Sequence, residues 1–166
     1  MGKLKFYDVN KKYLDYLRAV DSQVPHQTYE KNAKFFIGIV LDIDGKNYFA
    51  PVSSYNKKDR TNLIIKSENK KTGKTKDISS IRFSFMIPVP ESELIVKDIN
   101  AEPDEKYKNL LRDEYRFCTK HKQEIADLAN TVYGWGTDTK HWLNHCCCDF
   151  KKLEQAMEEY MKATNN

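Results

Sequence analysis

The chain is sparing with the residues that staple or punctuate small secreted folds: its 166 residues include four cysteines, six glycines and five prolines. Cys146, Cys147 and Cys148 are adjacent and Cys118 stands alone, so no CxxC pair offers a zinc-ribbon half-site. Neighbouring cysteines also lack the converging Cβ vectors that a disulfide needs. Two readings of the thiols stay open. They are buried or partly buried groups in a reducing compartment, or metal ligands with His141 and His145, whose i, i+4 spacing would put both imidazoles on one helical face. No apolar run approaches the ~18 residues that span a bilayer. The opening Met1-Gly2-Lys3-Leu4-Lys5-Phe6 has no stretch suited to a secretory signal, and Phe6 stands where myristoylation of Gly2 would want Ser or Thr. A cytoplasmic protein without membrane contact is expected. GxGxxG, P-loop, GxSxG and HExxH motifs are all absent, which removes the enzyme classes built on them. No carboxylate cluster stands out in the sequence for a divalent ion, so neither a metal nor another cofactor is expected.

What is present argues for a folded domain. Apolar residues make up 40% of the chain, with ten tyrosines and eight phenylalanines, too rich in large side chains for disorder. The length suits one domain, residues 1–166. The net charge of +4 hides an asymmetry: residues 1–76 carry +8 and residues 77–166 carry −4. The densest basic stretch contains Lys57, Lys58, Arg60, Lys66, Lys70, Lys71, Lys74 and Lys76 against Asp59 and Glu68. Such a run is either a solvated face or a surface for a polyanion, where each lysine set on a phosphate releases a counterion.

Periodicity divides the chain into a strand-rich first half and a helical second half. Leu4 to Val9 reads as a strand, followed by a helix capped by Asn10 with Tyr13, Leu14, Leu17 and Val20 at helical spacing. Polar residues 21–32, with Pro25, His26, Thr28 and Tyr29, read as a loop. Phe35 to Leu41 and Tyr48 to Val52 read as strands joined across Asp44-Gly45, a dipeptide that favours a type I′ hairpin turn. Ser53 to Lys58 has no core periodicity and is expected to be a loop. Asn62 to Ser67 suggests another strand, residues 70–77 an exposed turn around Gly73, and Ile81, Phe83, Phe85 and Ile87 one face of a further strand ended by Pro88 and Pro90. Pro103 fits the first position of a helix running to about Val132, interrupted by Gly134-Trp135-Gly136, and a last helix is expected after Asp149 with Phe150, Leu153, Met157 and Met161 on one stripe. The sum predicts an α+β fold: a strongly curved antiparallel sheet or small open barrel with helices packed around it.

The chemistry-bearing residues cluster around that hairpin. Tyr29 and Lys34 precede its first strand; Ser53, Ser54 and Lys57 follow its second, and the outer ends of paired strands lie side by side. RNA cleavage through the ribose 2′-OH needs a base for the hydroxyl proton, donors or cations for the charged phosphorane-like state, and an acid for the departing 5′ oxygen. Lysine and serine can hold phosphate, and tyrosine or a lysine of lowered pKa can move protons. His26 is either a proton carrier or a solvated loop histidine. Ser53-Ser54 can equally be a plain polar turn.

The runs Phe6-Tyr7-Asp8-Val9, Tyr13-Leu14-Asp15-Tyr16-Leu17, Lys34 to Leu41, Tyr48 to Ser54 and Phe83 to Pro88, in that order, resemble the ToxN/AbiQ family, toxins of type III toxin–antitoxin systems. The resemblance runs from Phe6 to Pro88 by motif. It implies a sheet core related to the MazF/Kid toxins and a small SH3-like barrel. It also implies a metal-independent endoribonuclease leaving a 2′,3′-cyclic phosphate and a 5′-OH. The implied partners are cellular RNA substrates and a repeat RNA antitoxin, which the toxin cuts into pseudoknot units that inhibit it within higher-order toxin–RNA assemblies. A role in phage abortive infection would follow. By matched position Tyr29, Lys34, Ser53 and Ser54 become catalytic candidates, and Tyr13 matches another tyrosine lining the site. The family pattern APLTSPK has a lysine where this chain has Asn56; Lys57 fills the role if the loop is one residue longer, with Lys58 next to it. The expected RNA-binding set is Tyr13, His26, Tyr55, Lys58, Arg60, Lys66, Lys70, Lys71, Lys74 and Lys76. The alternatives are a noncatalytic RNA- or DNA-binding module using the same basic and aromatic residues, or an interaction domain whose partner touches the acidic half.

Overall fold

The structure, a computed structural model, describes residues 4–25 and 37–165. Strand β1 (Phe6–Val9) leads into helix α1 (Lys11–Val20). The side chain of Asn10 accepts the Lys12 N–H at 3.1 Å and so caps the helix as expected. Tyr13, Leu14 and Leu17 form its buried face. Strands β2 (Gly38–Ile43) and β3 (Lys46–Ser53) form the hairpin. Asp44 and Gly45 both take positive φ, 53° and 81°, the combination a type I′ turn requires. The Asp42 carboxylate accepts the Gly45 N–H at 2.9 Å and fixes the bend.

Strands β4 (Asn62–Glu68), β5 (Thr75–Arg82), β6 (Ile87–Pro88) and β7 (Leu94–Val96) complete a seven-stranded sheet in the order β4-β5-β3-β2-β1-β7, with β6 pairing β3. All pairs among the described residues are antiparallel, and the sheet does not close. Strand β3 is the hinge of this arrangement. Its residues Lys46 to Pro51 pair with β2, and its last two, Val52 and Ser53, pair with Ile81 and Ser80 of β5.

Four features depart from the periodicity reading. Ile81, Phe83, Phe85 and Ile87 do not share one strand: β5 ends at Arg82 and Phe83–Phe85 forms a 3₁₀ turn. Its amide at Phe83 donates to the Thr61 carbonyl at 3.1 Å, and the Ser84 carbonyl accepts from Cys148 at 2.9 Å. The apolar residues there are spaced by a turn wedged between two neighbours, which mimics alternation. The long helix is two, α2 (Glu105–Lys120) and α3 (Lys122–Thr137), broken at His121. Asp104 caps α2 through the Lys106 and Tyr107 amides, so Pro103 precedes the cap rather than opening the helix. The break lets α2 lie on β4 while α3 packs against β2, the 3₁₀ turn and helix α4 (Phe150–Thr164). The exposed turn is shorter than expected, since β5 begins at Thr75.

Gly134-Trp135-Gly136 lies inside α3 instead of interrupting it. Gly136 faces the Phe150 ring so closely that a Cβ there would overlap it, and that proximity is what lets α3 and α4 close on each other. Below them the buried Glu154 carboxylate accepts hydrogen bonds from Tyr48 at 2.5 Å and Tyr133 at 2.7 Å, with Lys151 and Lys46 at 3.6 and 3.9 Å. Burial alone would raise its pKa, but the two phenol donors and the two ammonium groups hold it below the usual carboxylate range. Tyr48 is fully buried in β3, so this cluster ties α4 to the strand that ends in the hydroxyl pair.

Close packing under the hairpin is testable at Gly38, where a Cβ would run into the Ala50 carbonyl oxygen and the Phe49 ring. Gly38→Ala is expected to cost about 2 kcal/mol of stability, read from the midpoint of urea denaturation. An unchanged midpoint would contradict this packing.

Candidate RNA-processing site

Where β3 leaves the sheet, its last residue and the loop after it are pinned at several points. The Ser53 Oγ accepts the Tyr55 N–H at 3.1 Å, and the Ser80 Oγ donates to the Tyr55 carbonyl at 2.5 Å. Further along, the Asn62 side chain donates to the Lys57 carbonyl at 2.9 Å and accepts the Asp59 N–H at 3.0 Å, while Asp59 accepts from the Thr61 backbone and hydroxyl. A loop of polar residues is thereby held in one shape, leaving Ser54, Tyr55, Lys57, Lys58 and Arg60 exposed. That is a scaffolded binding loop rather than a slack connection.

Ser53 and Ser54 line a cleft of about 420 Å³ shared with Ile37, Val52, Ser79, Lys106, Tyr107 and Glu114. Ile37 faces Val52 through a 2.8 Å bond from the Val52 amide to the Ile37 carbonyl, so the outer ends of the hairpin do lie side by side. Glu114, on α2, is buried and accepts the Ser79 hydroxyl at 2.6 Å. Burial pushes its carboxyl up to about 7; the Ser79 hydrogen bond opposes that shift and the nearby Asp113 charge adds to it.

On the side of the sheet that carries Ser53 stands an arginine with no carboxylate partner among the described residues. Paired residues share a face and alternate residues return to it, so Ser53, Ser80 and Arg82 project from the same side of β3 and β5. The Arg82 guanidinium sits 4.4 Å from the Tyr55 ring centroid and 4.7 Å from that of Phe85. Its Nε is buried with no hydrogen-bond partner among the described residues. A guanidinium held between two rings can offer N–H donors to an oxyanion.

The candidates named from sequence divide into four groups. Ser53, Ser54, Tyr55, Lys57, Lys58 and Arg60 come together on the loop. Lys66, Lys70, Lys71, Lys74 and Lys76 run outward along the β4–β5 hairpin, where Lys66 pairs with Asp77 at 3.0 Å. The tip of this ridge lies roughly 20 Å along the strand from Ser80, so the lysines do not share the serine cleft. Tyr13 does not reach a surface: it is fully buried and its hydroxyl donates to the Pro88 carbonyl at 2.6 Å. Its role here is to close the core over β6, because a helix face with Leu14 and Leu17 faces inward. His26, Tyr29 and Lys34 lie outside the described residues, as does Phe35. Ile37, three positions after Lys34, lines the cleft.

Lys106, Glu114 and Arg82 were missing from the sequence reading. Lys106 and Glu114 come from a helix whose docking the sequence does not display, and Arg82 looked like a strand residue among aromatics. Among the described residues no group of three or more His, Cys, Asp or Glu is placed to hold a metal ion. His141 and His145 do not share a helical face, because residues 138–149 form turns and a 3₁₀ segment. Cys118, Cys147 and Cys148 are buried and Cys146 is half-buried. A larger hollow of about 840 Å³ between β1, β7 and α2 holds none of the hydroxyl groups of the loop. Chemistry, rather than size, therefore selects the serine cleft.

Comparison with known proteins converges on one group. Residues 5–158 match the family model described as Toxin ToxN, type III toxin–antitoxin system. The chain is 32% identical to Endoribonuclease ToxN of Bacillus thuringiensis subsp. kurstaki, over 94% of this chain and 84% of that one. It is 30% identical to Endoribonuclease ToxN of Pectobacterium atrosepticum, over 96% and 95%. Endoribonuclease AbiQ of Lactococcus lactis subsp. lactis is 31% identical over 96% and 90%. A solved structure of a type III system, in which a non-coding RNA pseudoknot selectively inhibits the toxin, superposes with a TM-score of 0.81 at 31% identity over 96% of this chain and 99% of that one. The structure of AbiQ, a lactococcal anti-phage endoribonuclease, gives 0.79 at 27% identity over 97% and 99%.

The raised Glu114 carboxyl makes stability depend on pH. Unfolded, the group loses its proton near the usual carboxylate range; folded, it keeps it to about 7, so its burial costs stability as pH rises between those values. Glu114→Gln is expected to lose less stability from pH 5 to pH 8 than the parent, by about 2 to 3 kcal/mol. Chemical denaturation at the two pH values measures it, and parallel pH profiles would contradict the assignment.

Proposed function

Since the chain belongs to the ToxN family of type III toxin–antitoxin toxins, we propose that it is a sequence-specific, metal-independent endoribonuclease that cuts cellular RNA and its own repeat RNA antitoxin. The observation that carries this reading is the Ser53–Ser54 pair at the end of β3, lining a cleft, with Arg82 held against Tyr55 of the same loop. In the reaction the ribose 2′-OH attacks the adjacent phosphorus. The 2′-O–P bond forms, the P–O5′ bond breaks, the 2′ proton passes to a base, and an acid returns a proton to the 5′ oxygen. The products are a 2′,3′-cyclic phosphate and a 5′-OH. Serine hydroxyls, the Arg82 guanidinium and Lys57 supply donors for the non-bridging oxygens as charge builds on them. Tyr29, Lys34 and His26 are the proton carriers of this reading. All atoms and charges balance without an added ion.

The fixed loop and the outward basic ridge support RNA as the ligand over a small phosphate ester, because lysines spaced along the strands of a hairpin suit a chain of phosphates. The inhibitor of this reading is a pseudoknot RNA laid along this basic ridge and the loop beside it, in higher-order toxin–RNA assemblies, with phage defence as the biological setting. The path of β3 from one half of the sheet to the other supports a curved core related to the MazF/Kid toxins. Residues 1–166 act as one domain in this account. Among the described residues no helix is long and apolar enough to cross a membrane.

Purified chain incubated with RNA in EDTA is expected to cut it, leaving 2′,3′-cyclic ends. Ser54→Ala and Arg82→Ala should each lower the rate about a hundredfold, and Lys57→Ala should raise the RNA concentration needed for half-maximal rate. Loss of cleavage in EDTA contradicts the metal-free route. Salt-sensitive binding without scission would instead favour a noncatalytic RNA-binding module.

A further inference from the structure

The connection between α3 and α4 builds a surface that the chemistry above does not use. Trp142 is 62% exposed, a large cost for an indole, although its neighbour Leu143 is buried. Its ring is the outer member of a file of three: Trp135 and His141 stack at 5.1 Å and 12°, and His141 and Trp142 at 6.2 Å and 22°. The file is held in place from both sides. The Asn144 side chain donates to the Trp135 and Gly136 carbonyls at 3.1 and 3.0 Å, and the His141 Nδ1 accepts the Leu143 N–H at 3.1 Å. Its base is tied to the turn after β5 by the Cys148 amide on the Ser84 carbonyl. Over Trp142 leans the guanidinium of Arg60, 5.3 Å from the ring centroid. Arg60 belongs to the pinned loop that carries Ser54, Tyr55 and Lys57.

An exposed, immobilised ring beside a cation, continuous with a polyanion-binding loop, matches the needs of a nucleobase. A base stacks on the outer ring face once Arg60 swings aside, and the displaced cation serves the base's phosphate or covers its second face. We propose that Trp142, backed by His141 and Trp135 and attended by Arg60, is a stacking platform for an unpaired base of the RNA that enters the serine cleft. This rests on the ribonuclease reading and adds to it a position outside the cleft that holds one nucleotide flanking the cut. A neighbouring protein surface would also cover an indole, but the arginine above it and the basic loop beside it favour the polyanion.

The two tryptophans of the chain make the test direct. In Trp135→Phe the only indole emission comes from Trp142. Titration of that variant with an RNA whose 2′-hydroxyls are methylated, so that it binds uncut, is expected to quench this emission in parallel with binding followed by anisotropy of a labelled RNA. Trp142→Ala should weaken binding roughly tenfold and raise KM for cleavage while leaving kcat unchanged; Trp142→Phe should restore most of it. RNA bound with full affinity and no change in Trp142 emission overturns the platform and leaves the ribonuclease reading intact. Emission that follows protein concentration instead of RNA assigns the surface to a second copy and likewise overturns it. Absence of RNA binding by the parent chain removes the ribonuclease reading and the platform with it.

Discussion

One strand holds the two halves of this molecule to a common geometry. β3 pairs with β2 and β6 through its buried first part and with β5 through its last two residues, so a shift by one residue would either carry Tyr48 to the exposed place of Asn47 or bring Asn47 into the core. Its register therefore fixes where Ser53 ends the sheet and where Ser54 begins the loop. The Glu154 cluster acts on the same strand, binding Tyr48 to α4 and α3 through hydroxyl donors. A buried carboxylate with two phenol partners and two ammonium groups fixes the orientation of its neighbours more tightly than apolar contact alone, because each lost partner would strand a polar group out of water.

The distribution of cations follows from this frame. Cations placed on the β4–β5 hairpin form ion pairs, such as Lys66 with Asp77, or face solvent, and they are suited to long-range attraction. Arg82 differs: it lies between two aromatic rings with its Nε unsatisfied. Charge that has been partly desolvated without a partner interacts more strongly with an incoming anion than a hydrated lysine does. On the proposed reading, exposed lysines would gather RNA and the arginine held against Tyr55 would grip one phosphate.

Local signals in the sequence were reliable where short-range geometry decides the outcome. Asp44-Gly45 made its hairpin because positive φ at two successive residues leaves few choices, and Asn10 and Asp149 capped the helices that follow them. The loop read at Ser53–Lys58 was legible except at its start, because Ser53 stays in β3 by pairing with Ser80 and the loop begins at Ser54. Signals failed where distant contacts decide. The apolar stripe from Tyr107 to Val132 lapses only between Cys118 and Ile125, a gap that a single long helix would tolerate, yet packing on two different partners breaks the helix there. Tyr13 matched a site-lining tyrosine by motif, but the amphipathic face of α1 turns it into the core. Lys106 and Glu114 reach the cleft only through the docking of α2, and Arg82 meets Tyr55 only across two strands, so neither arrangement leaves a local pattern.

The central claim is that RNA is cut where β3 ends. A crystal structure of the chain with an RNA carrying a 2′-deoxy residue at the cleavage position examines it most directly. The account requires the scissile phosphate within hydrogen-bond distance of the Ser54 hydroxyl and the Arg82 guanidinium. A scissile phosphate lodged instead in the hollow between β1, β7 and α2, away from both groups, would contradict it.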